Sequence, residues 1–228
     1  MNVDWDPAIS RAISANVGHP PPFSVDETQS VSSLTVRHAK SCGGLEDLCG
    51  LRILLLVGCG FPDLPPIGSL ADLRNFTISE SALRNLEGVG EAESLRSLEL
   101  PRNFIEDLTP LLECRQLDSV NVSGNPLSEK SVQEVIPELT GKGVRVIFPT
   151  LKERELMSRM RDAGLPFSYY QMSGSFRLCR PGLDLTDMPE ADHIKIAPDE
   201  VERLLGDDLE ALENIFDRKD LIPTLLDP

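Results

Sequence analysis

The feature that most constrains this chain is a period. The triplets Leu34-Thr35-Val36, Leu54-Leu55-Leu56, Phe76-Thr77-Ile78, Leu98-Glu99-Leu100, Val120-Asn121-Val122 and Val144-Arg145-Val146 start 20, 22, 22, 22 and 24 residues apart. Each is apolar, any residue, apolar. Four have another apolar residue three positions earlier: Leu51, Leu73, Leu95 and Leu117. Five positions after each of the first five starts stands Ala39, Cys59, Ser81, Asn103 or Asn125, followed by Phe61, Leu83, Ile105 or Leu127 and then Leu64, Leu86 or Leu108. A fixed period of this length means stacked, similar coils. The alternation makes a short strand with both apolar residues pointing inward. One coil cannot bury its own apolar face, so neighbours must share a continuous core. The Asn falls where the chain leaves the strand, so its amide can bond the backbone of adjacent coils. Ser or Cys can do part of that work.

The clearest unit runs from Leu95 to Leu111 and reads LRSLELPRNFIEDLTPL. Its pattern, LxxLxLxxNxIxxLxxL, is that of a leucine-rich repeat. Twenty-two residues leave little room for a helix on the convex side, so the coils should return through 3₁₀ turns. Prolines in Asp63–Ile67 and Asp107–Leu111 oppose α-helix there. The expected fold is α/β: a right-handed solenoid with about six short parallel strands.

Residues 4–148 resemble the internalin-like, phosphatase-regulator type of bacterial leucine-rich-repeat protein. Residues 4–36 are similar to its helical cap: an acidic start, a helix carrying Ile9, Ile13 and Val17, a Gly-Pro break, then a strand. Residues 125–148 are similar to its last coil, with a helix presenting Val132, Ile136 and Leu139 and a turn at Gly141 and Gly143. The first coil departs from the pattern by lacking the Asn, and the third by Ser81. The resemblance implies protein recognition on the concave sheet. The domain reading is a cap over 1–30, the solenoid over 31–148, and an acidic helical and hairpin extension over 149–228.

The extension does not continue the period. Lys152–Ala163 reads as a helix ended by Gly164. Phe167–Tyr170 and Ser175–Cys179 read as a hairpin around Ser173-Gly174. A loop rich in Pro and Asp follows, then helices from Pro198 to Leu205 and from Asp207 or Asp208 to Arg218. Its apolar residues suffice to cover one side of something but not to build a sizeable core, so it should pack on the end or flank of the solenoid. The basic run Lys152–Arg161 lacks interleaved aromatics and reads as a solvated helix face.

Charge and chemistry bound the function. The chain of 228 residues carries a formal net charge of -15. Residues 184–228 hold four Lys or Arg against fourteen Asp or Glu. Such a surface repels phosphate backbones and suits a basic protein partner, unless it serves solubility alone. No apolar run approaches a membrane span, and the acidic N-terminus, with no apolar core after it, does not read as a signal peptide. The five cysteines form no CxxC pair. They read as small buried residues with one exposed thiol, against a disulfide framework or zinc site. A cytoplasmic setting follows. His19, His38 and His193 fall in unrelated elements, and His193 reads as a surface residue beside a strand.

No nucleophile, phosphate-loop or metal motif occurs, and no cofactor is expected. The function expected is an intracellular protein-interaction module, a scaffold or regulator. One version is an inhibitor or immunity protein against a basic toxin or enzyme. The alternative is an enzyme whose site, with Cys179, His193 and carboxylates, lies between extension and solenoid. The binding surface is expected on the outward strand positions. Coil two shows Ile53, Leu55 and Val57. Around them lie Arg37, Asn75, Thr77 and Ser79, then Ser97, Glu99 and Arg102, then Ser119, Asn121 and Ser123. The competing reading has the cap or the extension folded over this strip.

Overall fold

The computed structural model describes residues 5–182 and 193–217. The start of the cap, the Pro- and Asp-rich loop at 183–192 and the end of the last helix at Arg218 lie outside the described residues. Six short strands follow one another in a single parallel sheet: β1 (Ser33–Arg37), β2 (Ile53–Val57), β3 (Asn75–Ser79), β4 (Ser97–Glu99), β5 (Ser119–Asn121) and β6 (Arg145–Ile147). The sheet is roughly 24 Å wide at about 4.8 Å per strand. On the convex side, 3₁₀ turns occupy Leu45–Asp47, Ile67–Ser69, Val89–Glu91 and Thr109–Glu113, as the short period requires. Leu54, Leu56, Phe76, Ile78, Leu98, Leu100, Val120 and Val122 are all buried in one continuous core.

One register differs from the sequence reading. Val146, not Val144, lies opposite Val120. A two-residue slip preserves which side chains face inward, so the alternation alone could not expose it. The added length belongs to the last coil, whose return is a helix. That helix begins as a π turn at Ser131–Val135 and continues as α3 (Ile136–Gly141).

Polar side chains tie the coils together. Asn125 Oδ1 accepts the Ile105 amide at 3.1 Å, and its Nδ2 donates to the carbonyls of Leu100 and Val122. Asn103 repeats this one coil earlier, accepting the Ser81 amide at 3.1 Å and donating to Ile78 and Leu100. Ser81 Oγ accepts the Cys59 amide at 2.9 Å. Among the described residues the Cys59 thiol bonds within its own coil, to the Val57 carbonyl at 3.7 Å. The ladder therefore thins toward the N-terminus. Just past each of the first five strands the chain turns through a left-handed residue: His38, Gly58, Glu80, Arg102 and Gly124, with φ from +52 to +68. Such a φ costs a non-glycine residue about 1 kcal/mol or more.

The cap consists of α1 (Pro7–Val17) and α2 (Val25–Ser30). Ile9 and Ile13 are fully buried against the first coil, with Val17 half-buried beside them. Asp6 caps α1 by accepting the Ala8 amide at 2.8 Å, and its other oxygen accepts the amides of Lys40 and Ser41. One carboxylate thus starts the helix and fastens it to coil one.

The extension has more structure than its sequence announces. Helix α4 (Leu151–Asp162), the hairpin β7 (Ser168–Met172) and β8 (Ser175–Cys179), β9 (Ile194–Lys195), α5 (Pro198–Asp207) and α6 (Leu209–Glu213) enclose a second core. Met157, Met160, Tyr169, Leu178, Ile194 and Val201 are among its members. The expectation of too little apolar surface is overturned, because aromatic and Met side chains of the hairpin and α4 join the leucines of α5 and α6. The basic run of α4 leaves Arg159 and Arg161 exposed, as a solvated face would, but its cations are paired. Arg154 and Arg161 pair with Glu129 and Glu106 of the solenoid, and Lys152 and Arg159 with Glu202 of α5. No helix among the described residues is long and apolar enough to cross a membrane.

Candidate functional site

The outward positions of the sheet form two rows. The first is Ser33, Ile53, Asn75, Ser97, Ser119 and Arg145; the second is Thr35, Leu55, Thr77, Glu99, Asn121 and Ile147. Ile53 is 40% exposed and Leu55 is half-buried. Arg37 and Asn75 are exposed, while Thr77, Ser97, Glu99, Ser119, Asn121 and Ser123 are partly so. Three expected site residues are not available. Val57 and Ser79 are each 8% exposed. They end their strands at the corner where the chain turns onto the flank that carries the extension. Arg102 is turned to an internal partner: its Nε donates to Glu80 Oε1 at 2.9 Å, and its guanidinium lies 4.9 Å from the Tyr170 ring centre.

An arginine row borders the concave sheet on its other side. Arg52, Arg74 and Arg96 stand one coil apart, immediately before β2, β3 and β4, and all are exposed. The Arg74 amide donates to the Arg52 carbonyl at 3.0 Å, and the Arg96 amide to the Arg74 carbonyl at 2.9 Å. Asp118 continues the row and pairs with Arg96 at 3.4 Å.

The extension docks on the left-handed turns. The Gly182 amide donates to the Glu80 carbonyl, Tyr170 packs on Arg102, and Ser168 Oγ donates to the Gly124 carbonyl at 2.6 Å. Gly124 is required here: a Cβ on it would lie 2.6 Å from Ser168 Oγ and 3.0 Å from Arg102 Cγ. His193 is 1% exposed, which overturns its reading as a surface residue. Its Nε2 lies 3.4 Å from Glu80 Oε2, and its Nδ1 bonds the Tyr170 hydroxyl. Cys179 is buried nearby, and that burial pushes its thiol up to about 12. Cys179, His193 and a carboxylate therefore do meet, but in a sealed joint. A buried thiol held protonated is a poor nucleophile, and the group lies in the joint between extension and solenoid.

Coils of 22 residues with 3₁₀ backs, a helical cap ahead of the first, and an Asn ladder beneath one parallel sheet decide the architecture. The fold is a leucine-rich-repeat solenoid. Among solved structures the chain is similar to internalin C2 of Listeria monocytogenes strain 4b F2365. The identity is 16%, over 64% of this chain and 77% of that one, with a TM-score of 0.49. It is also similar to the internalin inlF of the same organism, at 16% identity over 64% of this chain and 65% of that one, with a TM-score of 0.33. No protein-family profile matches the sequence. No curated protein matches it either.

Two parts of the leucine-rich-repeat surface escaped the sequence reading. The arginines at 52, 74 and 96 recur at the repeat spacing, but they precede the strands and were outside the alternation used to choose outward residues. Ile147, 51% exposed, lies on the sixth strand, where the sequence reading names no outward residue. Among the described residues no group of His, Cys, Asp and Glu is placed to hold a metal ion.

Proposed function

We propose that this chain binds another protein through its concave sheet, with Ile53 and Leu55 as the apolar centre. Asn75, Thr77, Ser97, Glu99, Ser119 and Asn121 form the polar surround, and Arg37 and Ser123 lie at the edge. The observation that carries the reading is Ile53, 40% exposed beside Leu55, with polar side chains on the neighbouring strands. An apolar patch with a polar rim is the usual anatomy of an interface. The acid-rich helices α5 and α6 add long-range attraction for a basic region of the same partner, as an inhibitor or immunity protein of a basic toxin or enzyme would need. The five free thiols suit a reducing, cytoplasmic setting.

The test is site-specific photo-crosslinking in the native cytosol. A photoreactive residue at position 55 should capture a discrete protein adduct. The same residue at position 91, exposed on the convex back, should not. Leu55→Glu, carried in a chain with an arm at position 53, should abolish the adduct with little loss of stability. Equal adducts from both faces, or an adduct that survives Leu55→Glu, would sink the reading.

A further inference from the structure

The contact surface has the opposite sign to the chain. Over a protein of net charge -15, the concave sheet and its border carry Arg37, Arg52, Arg74, Arg96 and Arg145 against Glu99 and Asp118. Stacked coils place Arg52, Arg74 and Arg96 about 4.8 Å apart, in register through their backbone hydrogen bonds. Like charges at that spacing repel, and the ion pair along this border is that of Arg96 with Asp118, in which both side chains are more than half exposed. Solvent screening makes such a pair weak. Among the described residues, Arg52 and Arg74 have no ion-pair partner.

We infer that the concave sheet takes an extended acidic segment of the partner polypeptide, laid across the strands along the arginine row, with an apolar side chain seated on Ile53 and Leu55. The inference rests on the protein-binding reading above and gives it a ligand chemistry. An extended segment repeats same-side side chains about every 6.8 Å. Two carboxylates two residues apart therefore fall within the span of about 10 Å from Arg52 to Arg96. Guanidinium forks suit carboxylates because each offers two parallel donors. The apolar pair beside Arg52 adds a demand that a bare polyanion cannot meet. The hydroxyl and amide side chains of Asn75, Ser97 and Ser119 continue the first row with hydrogen-bonding groups.

The probe is a fluorescein-labelled nonapeptide with Glu at alternate positions and Leu at one end, measured by anisotropy against the full chain. It should bind, lose affinity steeply between 0.01 and 0.15 M salt as the Debye length shortens, and bind about tenfold or more weakly to the Arg52→Glu, Arg74→Glu double variant. The same peptide with Lys for Glu should not bind. Tighter binding of the Lys peptide, equal binding of a nonamer of single-stranded DNA, or indifference to the double variant would each overturn the inference. Circular dichroism checks that the double variant is folded; both positions are exposed, so its melting curve should be unchanged. If the Glu peptide fails to bind while the position-55 adduct forms and survives the double variant, the acidic-segment inference falls and the protein-binding reading stands. Absence of the adduct removes the latter on separate grounds.

Discussion

Replacing Asn103 by Ala tests the account of how the coils are joined. Asn103 is fully buried. Its oxygen is the acceptor given to the Ser81 amide, and its amide nitrogen donates to the carbonyls of Ile78 and Leu100. An orphaned buried N–H costs about 1–3 kcal/mol, and each carbonyl that loses a donor costs about 0.5–1.5 kcal/mol. Two of the three groups lie in the preceding coil, so the loss falls on the joint between coils. We expect a destabilisation of about 3 kcal/mol, or roughly 6–12 °C in Tm for a domain of this size. The thinning of the ladder sets an internal scale. Ser81→Ala orphans the Cys59 amide and takes one donor from the Ser79 carbonyl of its own coil, and should cost about 2 kcal/mol. Cys59→Ala removes one weak thiol contact within its own coil and should cost about 1 kcal/mol or less. Urea unfolding followed by circular dichroism, and by the single tryptophan, Trp5, reports the body and the cap separately. An Asn103→Ala variant within 0.5 kcal/mol of the parent would refute the ladder argument, as would an order in which Cys59→Ala is the worst of the three.

Two further outcomes are expected. Burial pushes the Asp6 carboxyl up, but the amides of Ala8, Ser41 and Lys40 outweigh it and hold it below the usual carboxylate value of 3.8. The stabilisation is therefore complete above the unfolded value and lost as pH falls through the folded one. The Trp5 signal should show the cap loosening below about pH 4, a step absent from an already weakened Asp6→Asn variant; identical acid titrations would contradict this. Gly124→Ala meets both a φ of +68 and a 2.6 Å contact with Ser168 Oγ. Hydrogen exchange in Ser168–Cys179 should speed up markedly while that of β2 stays the same, and unchanged exchange in the hairpin would discount the docking described.

The solenoid was legible because its information is local and repeated. Leu98 and Leu100 declare an inward pair on their own, and three neighbours repeat the statement at a spacing of 22 residues. The sixth strand was misplaced because Val144 and Val146 share a parity, and pattern alone does not count the turns of the helix before them. The extension's core was illegible for the opposite reason: Met157, Tyr169, Leu178 and Ile194 each belong to a different element, and no period links them. His193 shows the same limit. Its burial depends on Glu80, a residue far away in the chain that only the fold brings beside it. Ile53 and Leu55 could be chosen from alternation, whereas alternation also offers Val57 and Ser79, which are buried at the ends of their strands.

The anchorage of the extension on Glu80, Arg102 and Gly124 has a mechanical meaning. A repeat array is a spring whose bend accumulates from a small rotation at each coil. The extension is a splint strapped to three successive turns, and it stiffens coils three to five against bending and twist. The left-handed turns of coils one and two, His38 and Gly58, carry no such strap among the described residues. A force or a fitting ligand would therefore bend the array chiefly between coils one and three, so the compliant end of the spring is the end that bears Ile53 and Leu55.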